Sequence, residues 1–303
     1  MNTIETPPEP PSFPLAAVPQ TLQVDLTSRQ NGRVYRLQIA TPLAAAPPDG
    51  YPLLCVLDGD MHFGAIAATA RLRGYMGELL AAVVVGIGYP EAEQNLLASL
   101  KRRNTDLTPS SGGAAMQESV RRQLGGLEID PFGGADAFLS TIEAELIPFV
   151  AREMPLDTSR KILFGHSLGG LFTLHTAFTR PGAFSTYLAL SPSIWWDDCA
   201  VLSHETGFVD AIADGRATPR LFLGVGEYEQ SPEKIPQLPA QEVRKAAMVS
   251  NMLALATRLS NIHAPGFDLR HQVYSGQTHM GVATTALSDA LEFALANPAH
   301  DVA

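Results

Sequence analysis

Short apolar runs alternate with longer amphipathic stretches along most of this chain. Thr21–Thr27 and residues 34–39 read as strands. The turn between them, Arg29-Gln30-Asn31-Gly32, ends in the Asn-Gly pair that favours a hairpin. Residues 53–57 (LLCVL) and 83–87 (VVVGI) are continuous apolar runs, as expected of strands buried on both faces of a parallel sheet. Residues 161–165 (KILFG), 187–190, 221–225 (LFLGV) and 269–274 bring the count to about eight strands. Helices fit between them. Residues 134–153 place Phe138, Ile142, Leu146 and Phe149 on one face, although Pro148 predicts a kink or restart there. Leu168–Thr179 stops before Arg180-Pro181-Gly182, and residues 243–259 and 282–295 are further amphipathic helices. A leading hairpin followed by β/α alternation predicts an α/β fold, a mostly parallel sheet covered by helices on both faces. Residues 97–134 break the rhythm with polar residues and glycines and read as a loop insertion near the functional site. The expected organisation is an extended Pro-rich arm over residues 1–19 and a single α/β domain over 20–303.

Composition narrows the function. With 303 residues, 46% hydrophobic and 17% charged, the chain has the apolar content of a folded core rather than of a disordered segment. The formal net charge of −10 and the lack of a basic run argue against nucleic-acid or anionic-membrane partners. An anionic substrate would need a local cluster of cations. No apolar window of about 18 residues predicts a transmembrane helix. The N-terminal stretch has neither a basic segment nor an unbroken apolar one, and Cys55 and Cys199 read as reduced thiols; both point to the cytoplasm. No cofactor is expected. Gly86-Ile87-Gly88 follows a strand, but Glu91 occupies the third glycine position of a dinucleotide fingerprint, and no GxxxxGK[ST] occurs.

The strongest chemical signal is Gly165-His166-Ser167-Leu168-Gly169, between the strand KILF and the helix LFTLHTAF. A tight strand-to-helix turn exposes a serine Oγ at a helix N-terminus, where free N–H groups favour negative charge. The turn closes only if the residues two positions either side are small. Serine needs a general base, and the loop after the last strand offers His279. His166, beside the serine, is expected to point away from the cleft, and His175 to pack within its helix. The acid that orients the base should follow the penultimate strand, at Glu229 or, as the alternate, Glu227, with Glu242 a distant third. Two backbone donors should stabilise the oxyanion: the N–H of Leu168, and that of Asp60 in the loop after the third strand, where Gly59 permits a sharp turn. Asp58 and Asp60 do not make a calcium loop, because Phe63 and Thr69 stand where glycine and glutamate are required.

The segments LLCVLDGDMHF, RRNTDLTP, GGADAFLSTIEAELIPFV, GHSLGG, SPSIWWDD and VGEYEQ occur in an order that resembles the esterase branch of the α/β-hydrolases. The resemblance is strongest to ferric-siderophore esterases of the enterobactin and bacillibactin type and runs from about residue 20 to residue 295. It implies a serine esterase that opens the trilactone of a catecholate siderophore and frees its iron. Ser167 would be the nucleophile, His279 the base, and Asp60 and Leu168 the oxyanion donors, in a family whose acid varies. Related branches act as S-formylglutathione hydrolases, feruloyl esterases or mycolyl transferases; a non-catalytic binding protein on the same fold is the rival from another class. A ferric tris-catecholate is anionic and aromatic. The expected contacts are therefore Arg102 and Arg103, beside Lys101, with Arg121 and Arg122 as a substitute pair, and a wall made by Trp195 and Trp196.

Overall fold

The computed structural model describes residues 18–93, 96–123 and 130–298. Most of the arm expected over residues 1–19 lies outside these residues. Among the described residues eight strands form one sheet in the order β1-β2-β4-β3-β5-β6-β7-β8. They are β1 (Thr21–Thr27), β2 (Val34–Ala40), β3 (Tyr51–Leu57), β4 (Val83–Gly88), β5 (Leu156–His166), β6 (Thr186–Leu190), β7 (Arg220–Gly226) and β8 (Asp268–Tyr274). β2 is antiparallel to both of its neighbours, and every other pairing is parallel.

Strand alternation divides the core in two. Leu53, Cys55 and Leu57 of β3 face one side, together with Leu163, Leu221 and Leu223. α6 (Leu168–Thr179), α7 (Glu205–Ala213) and α9 (Met248–Leu259) cover that side with Phe172, Phe208 and Met252. Leu54 and Val56 face the other side with Phe164 and Phe222. There α1 (Gly59–Tyr75) lays down Phe63, Ile66, Ala67 and Ala70, and α11 (Leu287–Leu295) adds Leu291 and Phe293. Burying both faces in this way explains the unbroken apolar runs of β3 and β4.

Several helical regions differ from the sequence expectation, and residues 282–295 fall into two helices, His279–Thr285 and Leu287–Leu295. The long helix of residues 134–153 is α4 (Ala135–Thr141), a π-turn (Ile142–Leu146) and α5 (Ile147–Glu153). The wider π-turn ends just before Pro148, at the point where a proline in a regular helix would lose a hydrogen bond and clash with the preceding turn. Residues 243–259 break at Ala247, whose φ is 44°, dividing α8 (Ala240–Ala246) from α9. The expected loop insertion carries two helices, α2 (Leu96–Asp106) and α3 (Ala114–Gln123). Among the described residues no helix is long and apolar enough to cross a membrane.

Candidate active site

Ser167 joins β5 to α6 with φ 61° and ψ −118°, outside the basins a serine ordinarily occupies. Such a conformation costs about 1–3 kcal/mol and persists only where its surroundings impose it. Here the Ser167 N–H donates to the Leu190 carbonyl at 3.0 Å, and the Ser167 carbonyl accepts from the N–H groups of Leu171 and Ser193 at 3.0 and 3.2 Å. Gly165 makes the bend possible, because a side chain there would run into the carbonyl of Gly169. Gly169 is less constrained: its nearest neighbour would be Asp58 Oδ2 at 3.3 Å. Ser167 remains partly exposed.

α10 (His279–Thr285) begins after β8, and its first residue is His279. The His279 Nδ1 lies 2.6 Å from Glu229 Oε2. Glu229 is 3% exposed, and its other oxygen accepts from the Gly226 N–H at 2.6 Å and the Ser191 hydroxyl at 2.5 Å. All three donors converge on a buried carboxylate, which suits it to hold an imidazole in one tautomer. Ser191 sits at the end of β6 with φ 43° and was not among the sequence candidates; the only sequence signal was its place after a strand, in SPSIWW. Glu227 is exposed and turns elsewhere, accepting from the Ser275 hydroxyl at 2.8 Å and the Gly276 N–H at 2.7 Å. Those bonds hold its carboxyl below the usual carboxylate range, the Gly276 N–H foremost. The His279 ring lies 4.6 Å from that of His166, the residue before the nucleophile candidate, tilted 39° to it.

The loop expected after β3 is instead the first turn of α1, and the residue that bends is Asp58, at φ 52°, rather than Gly59. Gly59 is needed for close approach: a Cβ there would sit 2.8 Å from the backbone of Gly86 on β4. The Asp58 carbonyl accepts from Met61 and His62, and Asp60 stands in the first turn of α1, whose N–H groups have no acceptor within the helix. Leu168 is the first residue of α6, so its N–H lies in a helix first turn as well. The Asp60 carboxylate accepts from the Tyr89 N–H at 2.9 Å; burial raises its pKa, and this bond opposes the rise.

The expected cationic contacts are placed differently. Arg103 forms a two-point ion pair with Asp58, Nε to Oδ1 at 2.6 Å and Nη2 to Oδ2 at 2.9 Å. Arg102 pairs with Glu91 at 2.8 Å, donates to the Val34 carbonyl at 2.9 Å and lies 5.2 Å over the Tyr89 ring. Each guanidinium is already held by a carboxylate from another part of the fold. Arg121 is exposed and pairs with Glu118 at 3.2 Å, while the Arg122 side chain lies outside the described residues. Trp196 is a packing residue rather than half of a wall: it is 1% exposed, meets the Phe132 ring edge-on at 4.9 Å and donates from Nε1 to Ser110. Trp195 is half-buried, 6.2 Å from it.

The strand order and the strained turn at the end of β5 define the α/β-hydrolase class. Comparison with known proteins carries this further. The esterase family profile ("Putative esterase") matches residues 28–278, and the chain belongs to that family of serine ester hydrolases. It is 34% identical over 281 residues to the ferri-bacillibactin esterase BesA of Bacillus subtilis, covering 92% of this chain and 90% of that protein. It is 30% identical over 277 residues to the siderophore triacetylfusarinine C esterase of Aspergillus fumigatus, covering 86% of this chain and 88% of the relative. Among solved structures, the BES protein from Bacillus cereus superposes with a TM-score of 0.78 at 30% identity, over 93% of this chain and 97% of that one.

Proposed function

We propose that the protein hydrolyses the trilactone backbone of a ferric catecholate siderophore, with Ser167 as nucleophile, His279 as general base and Glu229 as the acid that orients it. The observation that carries the catalytic assignment is the 2.6 Å contact between His279 Nδ1 and the buried Glu229, on a loop whose imidazole packs beside the residue preceding Ser167. With Nδ1–H donated to Glu229, the His279 Nε2 is left to take the serine proton. The Ser167 Oγ then attacks a lactone carbonyl, and the N–H groups of Asp60 and Leu168 meet the developing oxyanion. Collapse of the tetrahedral intermediate expels the ring oxygen as an alcohol, protonated by the His279 imidazolium. Water repeats the sequence on the acyl-enzyme. The named activities of the relatives on ferri-bacillibactin and triacetylfusarinine C support siderophore ester hydrolysis, and the first of them supports the catecholate class. The free thiols Cys55 and Cys199 favour the cytoplasm as the compartment.

A fluorophosphonate probe should label Ser167 in the folded protein and fail to label Ser167→Ala, whose turnover should drop by about 10⁴-fold or more. Iron-loaded enterobactin-type trilactone should turn over faster than S-formylglutathione or a feruloyl ester. Faster hydrolysis of either competitor overturns the substrate assignment, and an unlabelled Ser167 overturns the mechanism.

A further inference from the structure

Alternation along β5 sends Ile162, Phe164 and His166 to the side of the sheet that α1, α10 and α11 cover. His166 is 3% exposed and stands where these elements converge. The ring of His62, from α1, meets it edge-on with centroids 5.3 Å apart, and the ring of His279, from α10, lies at 4.6 Å. Its Nε2 is 2.8 Å from the main-chain carbonyl oxygen of His279. A carbonyl only accepts, so that nitrogen carries the proton and His166 is the donor.

From this juxtaposition we infer that His166 is a positioning residue for the base: its Nε2–H ties the backbone of His279 to the chain position immediately before the nucleophile. The inference rests on the roles proposed for Ser167 and His279. Other anchors hold the base loop further back, at Ser275 and Gly276 through Glu227 and at Gln277 through the Tyr228 N–H. His166 acts on residue 279 itself. Because His166 and Ser167 are covalent neighbours, the bond sets the distance between the two reacting side chains with few intervening torsions. The bond is partly buried and its donor residue is 3% exposed, so water competes less for the carbonyl than it would at an open surface. Burial, the neighbouring His279 and His62 and the nearby Arg103 hold the His166 imidazole well below its ordinary pKa, in keeping with a neutral donor beside a base that becomes cationic during turnover.

The test compares His166→Met with His166→Gln, side chains of nearly equal length, of which only glutamine keeps a donor near the Nε2 position. H166M should lower kcat and the rate of fluorophosphonate labelling about 10- to 100-fold with KM changed less than about threefold, and H166Q should recover to within about threefold of the parent. Folded H166M with parental kcat, or folded H166Q no better than H166M, overturns the inference. If the variants do not fold, ¹⁵N-histidine NMR of the unaltered protein at neutral pH decides: His166 must be the neutral Nε2–H tautomer, and an Nδ1–H or charged ring overturns the inference. That spectrum is read whether or not the parent is labelled at Ser167, so failure of the catalytic assignment and failure of the positioning role are distinguishable.

Discussion

At the carboxyl ends of β5, β7 and β8, the backbone leaving each strand sets each polar side chain in place. In the segment between β4 and α4, partners elsewhere in the fold do so. Ser167 is presented by its own bend, Glu229 by the short turn after β7, and His279 by the start of α10. Arg102 and Arg103, by contrast, take their positions from Val34, Glu91 and Asp58. The difference teaches that chemistry fixed by local geometry can be found from a short motif. The direction a long cationic side chain takes depends on which carboxylate folding brings to it.

The largest separation between the two regions should come from Glu229→Gln. Loss of the carboxylate from the His279 ring should lower kcat by about 10³-fold with little change in stability, since glutamine fills the same volume. The variant's kcat and its urea midpoint check both parts. A loss below about tenfold would remove Glu229 from the catalytic group.

Arg103→Met tests the other region. Asp58 is 4% exposed, and removing its partner would leave a buried carboxylate without a counter-charge. Breaking such a pair costs about 3–5 kcal/mol, so the loss should appear chiefly as a lower denaturation midpoint. If Arg103→Met instead kept its stability and raised KM for the ferric trilactone alone, the guanidinium would be a substrate contact and the contrast drawn here would collapse.

The same contrast decides what was legible. Thr21–Thr27 and Leu168–Thr179 match their sequence expectations end to end, because Asn-Gly and Arg-Pro-Gly mark their limits. α1 went unread because its buried face is built from Ala67, Ala70 and Gly74 as much as from Phe63 and Ile66, a weak amphipathic signal. The break at Ala247 has no sequence mark, since alanine rarely adopts positive φ. Ser191 escaped because its hydroxyl meets Glu229 38 residues away, and nothing local announces the pairing.

A pH titration sharpens the account of α2. Asp106, at its end, is 2% exposed; its carboxyl accepts from Tyr89 and pairs with Arg33 at 2.7 Å. Burial outweighs these partners and pushes its pKa up from 3.8 to about 6. The folded state therefore holds this proton more tightly than the unfolded chain does. The stabilisation is fully present below about pH 4 and is lost as pH rises through about 6. Urea unfolding at pH 4, 5, 6 and 7 should show the stability of the parent relative to Asp106→Asn falling along that series, by an amount on the order of 1–3 kcal/mol. A relative stability that rises with pH would mean that the Arg33 pair, not burial, governs Asp106.

The smallest effect separates two carboxylates two residues apart. Glu227 is exposed and clamps Ser275 and Gly276, whereas Glu229 is enclosed and clamps His279 itself. Water can replace Glu227 at both of its donors, so Glu227→Gln should change kcat by less than about threefold. Its folded-state pKa is depressed, so its modest contribution to stability is present above about pH 4.5 and is lost as pH falls. Measuring kcat for Glu227→Gln beside Glu229→Gln on one substrate tests the assignment most finely. Equal losses would mean that the anchoring of residues 275 and 276 orients the base as much as the carboxylate on its ring does, and the local rule inferred for this end of the sheet would extend one shell further out.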